Sequence, residues 1–193
     1  MNSFYLHSLQ KNLSFIFKAL VITGFILNIN NAYSLEKKFN LKNDKISLHY
    51  PSNWQFAYNF LSTPLTLFGP VKDGRRPVIS INNSSVKNFS FDKKNLSENQ
   101  DSYKSGRLKW LKKNNGKFVR FSGYRISKWK NINEVHSIGY SYTIEKDLFL
   151  EKSYFFNCNG NLFNINTLMT WEQNKRHGKE IKKILTSLEC LNN

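Results

Sequence analysis

Residues 148–169 read LFLEKSYFFNCNGNLFNINTLM, two alternating runs that meet at Asn159-Gly160. Asn-Gly supplies both φ > 0 residues of a type I′ turn, whose twist matches that of the strands it joins. So tight a turn sets the register: Cys158 falls opposite Asn161, Phe156 opposite Phe163, Tyr154 opposite Ile165 and Leu150 opposite Met169. Side chains alternate with period two, so these residues share one face, and that face needs a cover. The C-terminal segment, helical from about Trp171 to Leu188, offers one in the stripe Ile181, Ile184, Leu185 and Leu188.

Upstream of the hairpin, residues 134–144 form a strand with His136, Ile138, Tyr140, Tyr142 and Ile144 on one face. The connection Glu145-Lys146-Asp147 pairs Ile144 with Leu148 and Tyr142 with Leu150, which extends the apolar face of the hairpin. Residues 117–126 complete a meander. Before it, Ser97 with Gln100 three residues on has the form of a capping box. The helix that follows runs to about Lys113 with Leu96, Tyr103, Trp110 and Leu111 on one side, and Asn115-Gly116 stops it.

The first half reads as strands. Residues 46–50 alternate and end at Pro51; residues 54–61 place Trp54, Phe56, Tyr58 and Phe60 in phase, and Pro64 breaks the run before residues 65–68. Lys72-Asp73-Gly74 marks a turn, residues 77–82 a short strand, and residues 83–94 a surface loop without periodicity. Residues 35–44 form a polar lead-in. With no repeat and no change of composition, residues 35–193 are expected to form one α+β domain, a single antiparallel sheet flanked by two helices.

Residues 1–34 have the layout of a signal peptide: Lys11 and Lys18 without an acid, an apolar run from Ala19 to Leu27, then Ala32-Tyr33-Ser34 as a small-x-small cleavage site. The apolar run is shorter than the roughly 20 residues needed to span a bilayer, so the expectation is a soluble periplasmic or secreted product, with a retained anchor as the alternative. Both cysteines, Cys158 and Cys190, lie beyond this segment. Two cysteines in an exported chain make a disulfide the expectation, tying the last helix to the hairpin it covers; two separate buried thiols are the alternative.

Lys and Arg number 29 against 13 Asp and Glu, a formal charge of +16, of which +14 remains without the leader. Such a balance suits an anionic partner, and it also follows from the lysine-rich usage of an AT-rich genome. The lysines are scattered rather than clustered as forks and stripes, which argues against base and phosphate readout.

Residues 46–51 with Trp54 (ISLHYP, then Trp three residues on), the strand 77–82, the meander, and a final helix ending in Thr186-Ser187-Leu188 together resemble the PsbP-like fold. That fold is shared by photosystem II extrinsic proteins, Mog-type Ran-binding proteins and small exported bacterial proteins. The resemblance implies a docking or accessory module without catalysis or cofactor. No binding residues of the family have a counterpart here.

His49, His136 and His177 are the histidines outside the leader; the strand parities turn His49 outward and His136 inward, so no metal or general-base cluster is expected. There is no G-x-S-x-G, and the cysteines are engaged with one another on this reading. Two exposed features remain as anion- or partner-binding candidates. One is Trp129 between Lys128 and Lys130, able to stack on a ring while the cations meet phosphate or carboxylate, unless the indole tucks against the sheet. The other is Arg75-Arg76 after Gly74, two forks in a turn. The expected activity is therefore not enzymatic: binding of a protein partner in the periplasm or at the envelope. The alternative is binding of an anionic polymer or lipid surface by the helix faces Lys104, Arg107, Lys112 and Lys113 or Lys175, Arg176, Lys179, Lys182 and Lys183.

Overall fold

The computed structural model of the chain describes residues 36–41, 46–87 and 93–191. The leader-like segment 1–34 lies outside the described residues. In chain order the elements are β1 (Glu36–Leu41), β2 (Ile46–Pro51), β3 (Gln55–Phe60), β4 (Thr63–Phe68), β5 (Val78–Lys87), α1 (Lys93–Lys113), β6 (Gly116–Phe121), β7 (Arg125–Ser127), β8 (Val135–Ile144), β9 (Asp147–Cys158), β10 (Asn161–Thr170), α2 (Trp171–Thr186) and β11 (Glu189–Cys190).

The hairpin forms as its turn dictates. Asn159 and Gly160 take φ of 52° and 79°, and β9 pairs with β10 from Cys158 opposite Asn161 to Leu150 opposite Met169. Among the described residues the strands make two sheets, not the single one expected from sequence. The larger has eight strands in the order β3-β4-β5-β10-β9-β8-β6 with β7 also on β8; the smaller is β1-β2-β11. Its presence corrects the lead-in reading, because residues 36–41 pair along β2, with Phe39 opposite Leu48. With β11 on one side, β2 would leave its other edge unpaired, and the polar segment before it satisfies that edge.

Helix α2 and the small sheet lie together on one face of the large sheet. Ile46 and Leu48 of β2 and Ile181, Ile184 and Leu185 of α2 close over Leu67, Ile79, Phe156, Phe163 and Ile165. The Thr170 hydroxyl accepts from the Gln173 N–H while the Gln173 side chain accepts from the Thr170 N–H, a capping box that starts α2. Helix α1 covers the opposite face through Leu111 against Tyr140 and Tyr142. It begins at Lys93, so Ser97 sits a turn inside it and is not its cap; the Leu96 side chain lies outside the described residues. A Cβ at Gly116 would lie 2.6 Å from Leu111 Cδ2, which is why the strand after α1 opens on glycine.

Three other sequence expectations shift. β5 continues to Lys87 because β10 offers partners as far as Asn161, so the loop expected over 83–94 shrinks. The strand expected over 117–126 splits into β6 and β7 around Gly123, which takes φ of 67°. The third shift matters most. The β8–β9 connection is the pair Glu145-Lys146, with Asp147 already opposite Ile144, so Tyr142 pairs with Phe149 and not with Leu150. One residue of slip turns a strand over. His136, Ile138, Tyr140 and Tyr142 therefore face α1, while Cys158, Phe156 and Tyr154 face α2.

Candidate functional site

Among the described residues β3 is one edge of the large sheet, paired only with β4. Sequence alternation placed Phe56, Tyr58 and Phe60 in phase with the buried Trp54, yet they are 42%, 55% and 45% exposed, and Leu61 beyond them is 84% exposed. The core ends at β4, where Leu65 and Leu67 are fully buried, and β3 lies outside it. What support its rings have comes from Phe39 of the small sheet and from Phe68 on the neighbouring β4. Phe39 meets Phe56 at 5.2 Å and Tyr58 at 5.3 Å between ring centroids, and Phe60 packs edge-on against Phe68 at 5.3 Å.

The β3–β4 turn is Leu61-Ser62, with φ of 48° and 62°, and Asn59 before it is also left-handed at 50°. This is the conformation that Asn-Gly adopts in the other hairpin, here imposed on residues with a Cβ. Strain of this kind is typically stored where a segment has a task beyond folding. Sequence reading missed this site, although a signal was present. From Ile46 to Val71 there is not one Lys, Arg, Asp or Glu, in a chain where 22% of residues are charged. Edge strands are commonly protected by charge. This one is not.

The residues singled out from sequence are dispersed by the fold. Trp129 is buried, 7% exposed, with its ring 5.4 Å from Tyr154 and 5.9 Å from Phe156, so its indole is not a stacking platform for a ligand; Lys128 and Lys130 on either side stay exposed. The two arginines diverge rather than converging on one anion. Arg75 pairs with the Asp147 carboxylate, and Arg76 donates to Gln55 Oε1 at 3.0 Å above the Phe68 ring. Cys158 and Cys190 come to disulfide distance, Cα to Cα 5.6 Å, where β11 runs beside β2.

The histidines are apart as well. His136 is fully buried, its Nδ1 hydrogen-bonded to the Tyr124 hydroxyl and its Nε2 2.6 Å from the Glu134 carboxylate. His177 Nδ1 lies 3.0 Å from Glu180 on its own helix. Among the described residues no group of three or more His, Cys, Asp or Glu is placed to hold a metal ion. The strongest polar cluster is structural in geometry. Arg107 pairs with Glu151 and lies over Trp110 at 4.8 Å, and the second Glu151 oxygen accepts from the Tyr142 hydroxyl at 3.1 Å. Burial, with the Glu151 charge second, pushes the Tyr142 hydroxyl far above the ordinary tyrosine value; Tyr140 is pushed up to about 12, again mainly by burial.

No protein-family model matches the sequence, and no curated protein does. Solved structures do match in architecture. PsbP (CyanoP) from the cyanobacterium Synechocystis superposes with a TM-score of 0.56 at 8% identity, over 83% of this chain and 95% of that one. The chain has the PsbP-like fold. Similar too are LpqN, involved in cell envelope biogenesis of Mycobacterium tuberculosis (TM-score 0.54, 16% identity, 86% and 95% coverage), and the Ran-binding protein Mog1p of Saccharomyces cerevisiae (TM-score 0.50, 8% identity, 81% and 96% coverage). Identities this low convey a fold and not a role.

Within the PsbP-like fold, the residues that carried the sequence resemblance prove to be fasteners. The Trp54 N–H donates to Pro51 O at 3.0 Å, and its indole N–H reaches Glu180 of α2 at 3.2 Å. The Ser187 hydroxyl accepts from the His49 N–H at 2.8 Å, joining the end of α2 to β2. The lysine-rich helix faces are interrupted. Arg107 is turned inward to Glu151, and Lys175 is paired with Glu172 at 2.6 Å. Among the described residues no helix is long and apolar enough to cross a membrane.

Proposed function

We propose that the chain is a non-catalytic accessory domain, exported to the periplasm or envelope, that docks a protein partner by receiving a strand of it along β3. The observation that carries this reading is the uncharged, aromatic, half-exposed edge from Gln55 to Phe60, ending in the left-handed Leu61-Ser62 turn. An added strand satisfies the open row of backbone groups, and the aromatic side chains select its sequence. In a chain of +16, a neutral surface is also where a partner meets least repulsion or indiscriminate attraction. The leader-like segment 1–34 and the cysteine pair at bonding distance support export.

A photo-crosslinking amino acid at position 58 of the full chain, expressed in its own cells, is expected to trap one partner. The same group at exposed Lys109 on α1 is expected to trap none. Equal crosslinking from both positions would remove β3 from the proposal. Capture is also expected to vary little with salt, whereas binding of an anionic polymer or lipid through the helix faces weakens steeply as salt displaces it. A reproducible hydrolase or transferase activity lost on substitution of His136 or His177 would overturn the non-catalytic part.

The strained turn gives a separate prediction. Leu61→Gly removes the Cβ that disfavours φ of 48°, and is expected to stabilise the free protein by about 0.5–1 kcal/mol in urea unfolding while weakening crosslinking at position 58. A destabilised Leu61→Gly protein would show that the leucine is held for packing and not for docking.

A further inference from the structure

A second feature, independent of β3, lies between α2 and the large sheet. Gly139 and Ser141 of β8 are too small to reach α2, and beside them a groove of about 630 Å³ runs along β9, within the range of small-molecule sites. Leu150, Tyr154 and Met169 line its floor, and Gly178, Ile181 and Leu185 its helical wall. Gly178 stands in the interior of α2, where glycine weakens a helix relative to alanine. A Cβ there would meet one neighbour, the flexible Asn174 side chain of the same helix, whose Oδ1 at 2.9 Å would have to turn aside, and no atom of the sheet. What the glycine maintains is the width of the groove.

Lys152 rises from the floor between Gly139 and Thr167. Its side chain is half-buried, with the ammonium 4.9 Å above the Tyr154 ring, and among the described residues no carboxylate pairs with it. Glu151 is the acid nearest in sequence, and it is engaged by Arg107 and Tyr142 on the opposite face. Arg120, Lys128 and Lys182 add positive charge to the same groove. Burial pulls the Lys152 ammonium below the ordinary lysine value, and the Arg125 guanidinium pulls in the same direction. A partly desolvated cation without a counter-charge is an open position for an anion. From Lys152 the floor continues through Leu150 to Leu148 and the exposed Trp171. Four residues of strand span about 13 Å, the length of a chain of about ten carbons.

We propose that this groove binds a medium-chain acyl carboxylate, with Lys152 meeting the carboxylate and the chain lying along Leu150, Met169 and Leu148 towards Trp171. Both halves of such a ligand are matched: the charge by an ammonium that no carboxylate of the described residues engages, the chain by an apolar track of the same length.

The test is calorimetric titration of the purified full chain with decanoate, decanol and acetate. One decanoate is expected per chain, decanol about ten- to hundredfold weaker for loss of the charged contact, and no detectable acetate. Lys152→Met keeps the bulk of the side chain and is expected to bring decanoate down to the affinity of decanol. Gly178→Leu fills the groove and is expected to abolish both while leaving the melting temperature unchanged or raised. Decanoate affinity in the unsubstituted protein is expected to fall as pH rises through the Lys152 pKa, below its ordinary 10.5. Absence of decanoate binding, equal affinity for decanol, or decanoate binding indifferent to Lys152→Met and Gly178→Leu would each overturn the assignment.

Discussion

Phe156→Ala is expected to lower the stability of the domain by about 3–5 kcal/mol, the largest loss anticipated from one side chain here. Phe156 is completely buried, stacked on Phe163 at 5.4 Å and 12°, with Trp129 at 5.9 Å. Its neighbours come from β10 and from the loop that holds Trp129, so no one segment can shift to fill the space it leaves. The cost is then the lost transfer energy together with an unrelaxed cavity. A domain of this size is stable by roughly 5–15 kcal/mol, so urea unfolding should show a large fall in midpoint at an unchanged slope. Phe155→Ala is the control. Phe155 is the next residue, but it points to the α1 face, half-buried against Tyr103 at 6.4 Å, and its loss is expected to cost about 1 kcal/mol. Similar losses for the two variants would contradict the placement of β9 between two unequal faces.

The second large effect is expected from Cys190→Ser. The cysteines are 32 residues apart in sequence, and a bond closing that loop contributes about 3–4 kcal/mol in the chain-entropy account. Cys158 is buried at the end of β9 and Cys190 lies in β11, whose two residues pair with Ser47 and Ile46. Such a short strand has little to hold it once the cross-link is gone. Hydrogen exchange should therefore rise first in β11 and the last turn of α2, whereas α1, on the other face, should be unaffected. Mass spectrometry of the protein purified without reductant should find no free thiol. Two alkylatable cysteines would sink this prediction and leave the end of α2 attached by its apolar stripe and the Ser187–His49 contact.

Where the deciding information was local, the sequence was sufficient. Asn159-Gly160 set a turn, and the turn set every pair of the β9–β10 hairpin. The α2 stripe followed from helical spacing, and the motif from Ile46 to Trp54 pointed to the PsbP-like fold by pattern. The proximity of Cys158 to Cys190 needed one further step, that the apolar hairpin face requires a cover and α2 is the segment able to supply it.

Other features depended on residues distant in the chain. Glu145-Lys146-Asp147 is compatible with two registers that differ by one residue, and only the packing of Tyr140 and Tyr142 under α1 selects the one that turns β8 over. Residues 36–41 carry no strong strand signal and become β1 because β2 has an edge to fill. The candidate docking edge was half legible: the uncharged run from Ile46 to Val71 stood in the sequence, but alternation in β3 describes a core strand and an edge strand equally well. Lys152 gave no sign at all, since a lysine is marked only by what surrounds it, and Gly139 and Gly178, which leave the groove open beside it, come from β8 and α2. Period and turn chemistry act within a few residues and can be read from them. Edges, faces and unpaired charges are defined by which segments meet, and that is a property of the folded chain alone.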